Sequence, residues 1–339
     1  MSAAPPPLPQ AFIWRRLHSL TGVFLVLFLI SHLLTNSQAA LFFGDDGHGF
    51  VKSVNDIHNL PFLPAIEIGL LAVPILLHMI FGIRYLWTGE TNSFSGDGAK
   101  PSLPEYGRNK AYTWQRITSW ILLIGILGHV GQMRFIHYPT SATVDGKTYY
   151  MLPVSLDQGL IPLASRLKVR LLNQKMIDYE KQLQFSNEAS SSVAVKDFFA
   201  SLSSLFTKPS SLEELNPNAK EILVAQRELQ QVAFSQAAEK WTLKPGEVLA
   251  IAPDFGTIEL LLVRDTFKSP LMIALYTVFV LAACFHGFNG LWTAMITWGV
   301  TLSETSQRMM LRFSTGLMVL VTFLGLAAIW GTFWINLKQ

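Results

Sequence analysis

The sequence is poor in cysteine and in charged residues. Its 339 residues include one cysteine, Cys284, and charged residues form 14% of the chain, against roughly a quarter in ordinary soluble domains. A single cysteine excludes a disulfide framework within the chain and any zinc or iron–sulfur site built from several cysteines. The net charge of +3 is small, and no basic stripe indicates nucleic-acid binding.

Apolar residues, by contrast, form half of the chain. Five apolar segments reach the roughly 20 residues that a membrane-spanning helix needs. Pro74 lies inside the second segment, where a packed bundle tolerates a kink. We therefore expect an all-α membrane protein with five transmembrane helices in a bundle. The segments lie at about 17–43, 63–88, 112–136, 268–299 and 309–336.

The basic residues at the segment ends predict the orientation. Arg15 and Arg16 precede the first segment, and Arg308 and Arg312 lie around the connection between the fourth and fifth. The short first connection has Lys52 against three aspartates. The positive-inside rule places the N-terminus in the cytoplasm and the C-terminus outside. The N-terminus lacks the pattern of a cleaved signal peptide, so we interpret it as a retained cytoplasmic tail.

Residues 138–266 differ from the rest because they are charged, of mixed sign and in places rich in serine. This predicts three parts: residues 1–137 with helices one to three, residues 138–266 as an inserted outer domain, and residues 267–339 with helices four and five. Within the insert, 172–183 and 219–240 favour helices, and 247–265 favours two strands joined by the turn DFGT. The insert is predicted to be a small α+β domain. It has no histidine and no cysteine, which favours docking or shielding over catalysis.

Four of the eight histidines lie one apiece inside four apolar segments, namely His32, His78, His129 and His286. A histidine inside a membrane-spanning helix is costly, and facing imidazoles in a helix bundle suit haem iron. His32 lies roughly 22 Å along an outward-running helix, and His129 lies at a similar outer depth. His78 and His286 lie nearer the inner ends of inward-running helices. Depth therefore pairs His32 with His129 and His78 with His286; the alternative for each is a polar side chain hydrogen-bonded across helices.

Haem propionates need cationic or donor partners, and both ends of the bundle offer them. Ordinary interfacial anchoring is the alternative role for these residues. The candidates are His18, Ser19, Arg15, Arg16 and Arg116 on the inner side and Arg134 on the outer side.

Glu67 is the other ionisable residue inside a segment, near the outer end of the second. A carboxylate there is a candidate for exchanging protons with a bound quinone. His58, just before this segment, is a weaker candidate for the same role. The alternative for Glu67 is a carboxylate at the water interface.

Three stretches carry a family resemblance: RRLHSLTGVFLVLFLISHLL at 15–34, LPFLPAIEIGLLAVPILLHMIFGI at 60–83 and FHGFNGLWTAMITWGVTLSETSQR at 285–308. They resemble the membrane anchor of succinate dehydrogenases and fumarate reductases, of the single-chain, five-helix, di-haem cytochrome b type. WQRIT at 114–118 and GHV at 128–130 fit its third helix. The resemblance covers nearly all of the membrane part, and the insert is the large departure from it.

The resemblance implies two haem b groups, one ligated by His32 and His129 and the other by His78 and His286. It places His18 where inner-haem propionate contacts occur. It also implies flavoprotein and iron–sulfur subunits on the inner side, membrane lipid around the helices, a quinone (expected to be menaquinone) and a location in the bacterial inner membrane. The complex would belong to the tricarboxylic acid cycle.

The leading hypothesis is an electron-transfer subunit that passes electrons from the iron–sulfur subunit to a membrane quinone. The chain has no flavin-binding glycine motif and no cysteine cluster, so it is not expected to oxidise succinate by itself. One alternative is the cytochrome b anchor of another quinone-linked dehydrogenase, but such anchors place two ligands on one helix in places. Another is a haem-free transporter with a histidine proton relay, for which discontinuous helices and an inverted repeat would be expected.

Overall fold

The computed structural model describes residues 8–88, 105–144, 146–178 and 240–338. Within these residues, eight helices and four strands have both ends described, and a further helical stretch covers residues 174–178. The helices are α1 (Gln10–Leu41), α2 (His48–His58), α3 (Leu63–Thr88), α4 (Gly107–Ile136), α5 (Leu160–Arg166), α6 (Phe255–Thr266), α7 (Pro270–Thr297) and α8 (Glu304–Asn336). The strands are β1 (Thr140–Val144), β2 (Lys147–Ser155), β3 (Arg170–Leu172) and β4 (Glu247–Ala252).

Five of these helices, α1, α3, α4, α7 and α8, are long and apolar enough to cross a membrane, and each overlaps one predicted segment. Local caps decide where two of them begin. Ser303 and Ser306 form a reciprocal capping box before α8, which satisfies backbone N–H groups that have no partner inside the helix. Ser269 caps α7, which begins at Pro270, the position where proline suits a helix best.

The helix α3 is not regular along its length. Residues Glu67–Ala72 form a π-helical turn directly before Val73 and Pro74. Proline lacks the N–H that would bond to the carbonyl four residues earlier, and its ring crowds that carbonyl. A π-helical turn before the proline changes which carbonyls need a backbone N–H and widens the helix, which relieves both the missing hydrogen bond and the crowding. Pro74 therefore disturbs the second segment as its position predicted, and the disturbance takes the form of a π-helical turn.

The long helices are arranged so that two pairs face each other diagonally. α1 packs on α3, α7 and α8, while α4 packs on α7 and more lightly on α3. Consequently α1 lies across the bundle from α4, and α3 lies across from α7. The single cysteine, Cys284 on α7, is fully buried, as expected of a small packing residue.

Residues His137–Asp265 form one compact unit, separate from the unit made by the long helices. Its antiparallel sheet has the strand order β1-β2-β4-β3. Leu152 and Leu249 are fully buried in it. The buried guanidinium of Arg264 donates two 2.8 Å hydrogen bonds to the carboxylate of Asp157. The predicted mixture of helix and strand in the insert is therefore present in its described part.

The two strands predicted at 247–265 are only half right. Glu247–Ala252 is β4, but the second half is the helix α6. The Asp254 carboxylate accepts a hydrogen bond from the Thr257 backbone N–H at 2.8 Å, so DFGT begins a helix instead of closing a hairpin. The following run is buried on almost every side, and such a run has no periodicity by which helix and strand differ.

The two other predicted elements of the insert are described only in part. For the helix predicted at 172–183, Leu172 instead ends β3, and helical backbone begins at residue 174 and continues to residue 178. The helix predicted at 219–240 lies outside the described residues except for Lys240, which is in a turn.

Candidate functional site

His78 on α3 and His286 on α7 face each other across the bundle. Their ring centroids are 6.1 Å apart and their ring planes are inclined by 83°. Because α3 and α7 are diagonal partners, the two imidazoles meet between the helices. We call these two residues, together with the groups that contact their rings, the His78–His286 layer.

Both rings of this layer are oriented through Nδ1. The His78 Nδ1 lies 3.1 Å from the carbonyl oxygen of His18, and the His286 Nδ1 lies 3.3 Å from the carbonyl oxygen of Gln115. A carbonyl only accepts hydrogen bonds, so the geometry assigns the proton to Nδ1 in each ring. Nε2 is then left with its lone pair, which is the form that binds a metal.

The same local arrangement occurs on α1 and on α4. Thr21 follows His18 by three residues, and its hydroxyl lies 3.4 Å from the His78 Nδ1. Thr118 follows Gln115 by three residues, and its hydroxyl lies 3.5 Å from the His286 Nδ1. The Thr21 hydroxyl also donates to the carbonyl oxygen of His18, and the Thr118 hydroxyl donates to that of Gln115. A carbonyl and a threonine one turn later thus hold each histidine.

Sequence reasoning missed these holding residues, although a signal was present. Thr21 lies 11 residues before His32 on α1, and Thr118 lies 11 residues before His129 on α4. Eleven residues are about three helical turns, so each threonine shares a helix face with a candidate ligand of the other layer. A threonine three turns before a histidine in the same apolar segment was therefore a signal that its hydroxyl could contact a histidine of the other layer.

His32 on α1 and His129 on α4 form the second group, the His32–His129 layer. Their ring centroids are 5.9 Å apart and the planes are inclined by 72°. The His129 Nδ1 lies 3.1 Å from the phenolic oxygen of Tyr276 on α7. Within the described residues, neither ring nitrogen of His32 has a hydrogen bond; its ring stacks on Phe28 at 5.4 Å.

The two layers lie at different depths. On α4, Thr118 contacts one layer and His129 belongs to the other, 11 residues later, which is about 16 Å along the axis. On α7, Tyr276 and His286 are 10 residues apart, or about 15 Å. The distance between the two layers is therefore about the same along α4 and along α7.

The ring separations fit a haem. Two imidazoles on one metal, with bonds of about 2 Å and ring centres about 1 Å beyond each nitrogen, have centroids about 6 Å apart. The observed values of 5.9 Å and 6.1 Å agree with this distance. In the described parts of the chain, no group of three or more His, Cys, Asp or Glu residues is placed to hold a metal ion. Two facing histidines per site suit a haem iron with two protein ligands.

His18 is the strongest of the propionate candidates. Its ring stacks on His78 with the centroids 4.0 Å apart and an angle of 11°. Its Nδ1 is buried and has no hydrogen-bond partner among the described residues. A buried donor without a partner is unfavourable, and the carboxylate of a group bound beside His78 would satisfy it.

The other inner candidates have protein contacts of their own. The Arg16 guanidinium lies over the Trp298 ring at 5.1 Å and donates to the Thr297 carbonyl. The indole N–H of Trp298 donates to the Ser19 hydroxyl at 3.2 Å. These contacts join the start of α1 to the end of α7, which supports the anchoring alternative for Arg16 and Ser19.

Arg116 and Arg15 differ in their surroundings. Arg116 donates to the carbonyl oxygen of Leu86 at 2.8 Å and thereby ties α4 to the end of α3. Arg15 is exposed. Arg116 also donates to the Tyr112 hydroxyl at 3.4 Å, so its guanidinium contacts the protein in more than one place.

Glu67 and Arg134, predicted for two different roles, form an ion pair at 2.7 Å. Both lie in π-helical turns, one in α3 and the other in Gly131–Ile136 of α4, and such turns are frequent at functional sites. Partial burial lowers the pKa of His58; the charge of Glu67 opposes this shift, and that of Arg134 adds to it. The structure therefore groups Glu67, Arg134 and His58.

The position of Glu67 along α3 gives its depth in the bundle. Glu67 precedes His78 by 11 residues, about 16 Å along α3, which places it level with the His32–His129 layer.

The five long apolar helices and the histidine layers define the class: a multi-pass helical membrane protein with paired histidines at two depths. In sequence, the chain is similar to the succinate dehydrogenase cytochrome b558 subunit of Bacillus subtilis, with 33% identity over 126 residues. The alignment covers 37% of this chain and 56% of that relative, so the chain spans little more than half of the relative's length. No family model matches the chain, and no solved structure matches it.

Proposed function

We propose that this chain is the di-haem cytochrome b membrane anchor of a succinate:quinone oxidoreductase. Two facing histidine pairs at two depths carry the proposal. The similarity to a succinate dehydrogenase cytochrome b558 subunit supports flavoprotein and iron–sulfur subunits as the partners. In this proposal the complex lies in the bacterial inner membrane, with the N-terminus in the cytoplasm, the C-terminus outside and the insert on the outer side.

Each histidine layer would hold one haem b. His78 and His286 would ligate the iron of one haem, and His32 and His129 would ligate that of the other. A haem with two histidine ligands supplies reversible one-electron chemistry at its iron. The carbonyls of His18 and Gln115 keep the proton of each ring on Nδ1 and raise the basicity of the ligating nitrogen.

The polar residues near the layers would bind the haem carboxylates. His18 donates from its otherwise unpaired Nδ1 at the His78–His286 layer. Ser19, Arg15, Arg16 and Arg116 lie near the same end of the bundle and add positive charge or donors there. Arg134 would serve the His32–His129 layer, in addition to its ion pair with Glu67.

A quinone, expected to be menaquinone, would accept the electrons near the His32–His129 layer. Reduction of a quinone by two electrons takes up two protons, and Glu67 would relay them from water by taking a proton onto its carboxylate and passing it to the quinone. Arg134 stabilises the ionised carboxylate afterwards, because their charged atoms are 2.7 Å apart. Partial burial lowers the pKa of His58, and His58, grouped with Glu67 and Arg134, would be a weaker candidate for the same proton exchange.

Haem content and ligand identity test the first part of the proposal. Membranes that contain the chain are assayed by pyridine haemochrome and by reduced-minus-oxidised spectra, with His32→Ala and His286→Ala alongside. We expect two b-type haems in the parent, and the loss of a different haem in each variant. The matched control is His48→Ala, an exposed histidine that should leave both haems in place. A parent without haem, or variants with unchanged haem content, would overturn the ligand assignment.

Copurification tests the partners separately. A tagged chain is isolated from its native membranes in mild detergent, and succinate is added under anaerobic conditions. We expect a flavoprotein and an iron–sulfur protein to copurify, and succinate to reduce both haems. Reduction by formate or hydrogen but not by succinate would keep the haems and reject this partner.

A further inference from the structure

The two histidine layers differ in what accepts the Nδ1–H proton. In the His78–His286 layer each Nδ1 faces a backbone carbonyl, that of His18 or that of Gln115; the Ser119 hydroxyl, which donates to the Gln115 carbonyl, also lies 3.3 Å from the His286 Nδ1. In the His32–His129 layer the partner of His129 is a side chain, the phenol of Tyr276, at 3.1 Å. A backbone carbonyl cannot be changed by substitution, whereas a phenol can.

The direction of the Tyr276 hydrogen bonds follows from its second partner. Its hydroxyl proton points to the side-chain oxygen of Gln132 at 3.4 Å, and an amide oxygen only accepts. The phenol has one proton, so its oxygen is left to accept from the His129 Nδ1–H. The resulting series runs from His129 through Tyr276 to Gln132 and leaves the His129 Nε2 unprotonated.

Aromatic rings fix the phenol in this position. Phe267 contacts the Tyr276 ring edge-on at 5.4 Å, and Phe279 does so at 6.2 Å. Phe279 also lies 5.9 Å from the His129 ring. These apolar neighbours reduce the local dielectric constant, which strengthens the hydrogen bonds that they surround.

We propose that Tyr276 is a positioning residue that sets the tautomer of His129 and tunes the midpoint potential of the haem in the His32–His129 layer. This inference rests on the proposed function, because it assumes that the His129 Nε2 is a haem ligand. An acceptor at Nδ1–H increases the electron density on the ring and so stabilises the ferric iron. Removing that acceptor should shift the potential of this haem upward and leave the other haem unchanged.

The test is a potentiometric titration of Tyr276→Phe in the complete complex, with the haem of this layer identified by its loss in His32→Ala. We expect two haems, an upward shift for this haem only and a changed low-spin ferric EPR signal. A tenfold loss of preference for the ferric form would correspond to about 59 mV. The matched control is Thr277→Val, which removes a hydroxyl from the next residue of α7, where it contacts Trp330.

A second variant covers the case in which Tyr276→Phe does not assemble. Gln132→Leu keeps the phenol but removes the acceptor of its proton, so the phenolic oxygen becomes a poorer acceptor for His129. We expect a smaller upward shift of the same haem. Unchanged potentials in the assembled variants, or an equal shift in Thr277→Val, would overturn the role of Tyr276. A parent complex with no haem would overturn the proposed function instead.

Discussion

Gly22 of α1 lies directly against the imidazole of His78. A Cβ atom at position 22 would be 2.9 Å from the His78 Cε1, closer than a carbon–carbon contact allows. On another side of the ring, His18 stacks at 4.0 Å. The position of His78 therefore depends on the absence of a side chain at residue 22.

Replacing Gly22 by alanine should displace the His78 ring. We expect Gly22→Ala to lose the haem of the His78–His286 layer, or to shift its potential, and to retain the other haem. Redox difference spectra measure both effects. The control is Gly316→Ala on α8, where an added Cβ would meet nothing within 4 Å. Two haems with parental potentials in Gly22→Ala would show that the bundle accommodates the methyl group.

Glu67 offers a prediction that separates haem reduction from quinone reduction. Its carboxylate is paired with Arg134 and would relay protons to the quinone, whereas an amide cannot take up and release a proton. We expect Glu67→Gln to bind both haems and to be reduced by succinate normally. Transfer to quinone should slow by about 10²-fold or more, the usual contribution of a general acid.

Stopped-flow oxidation of the reduced haems by a soluble quinone measures this step. Glu304→Gln is the matched control, because Glu304 is an exposed carboxylate paired with Arg308 at 3.4 Å. A parental rate in Glu67→Gln would assign the carboxylate to the water interface, which is its alternative role.

The insert offers a prediction on stability. Arg264 has a side chain that is 1% exposed, and its guanidinium is paired with the Asp157 carboxylate. Asp157→Asn would remove the negative charge that lies 2.8 Å from this buried cation, at a cost of about 3 kcal/mol. We expect the temperature of half-cleavage in limited proteolysis of the whole chain to fall clearly. The exposed pair of Glu304 and Arg308 contributes little, so Glu304→Gln should behave like the parent, and an equal fall in both variants would contradict the burial argument.

Only part of the candidate site could be predicted from the sequence. Counting residues along each span predicted that His32 would meet His129 and that His78 would meet His286, and the structure brings these partners together. Their role as haem ligands stays a prediction. Residue counting fixes depth because a helix rises by a constant amount per residue. It leaves open which side chains of other helices surround each ring, so Thr21, Thr118 and Tyr276 were missed.

The sequence by itself determined the number of apolar spans and the depth of each histidine, since both follow from local composition and helix geometry. The tertiary structure decided the acceptor of each Nδ1 proton, the ion pair of Glu67 with Arg134 and the helical state of 255–266. The first two depend on how helices rotate and pack against one another, and the third on burial that removes any periodic signal. Such relationships arise between residues distant in the chain, where no local pattern specifies them.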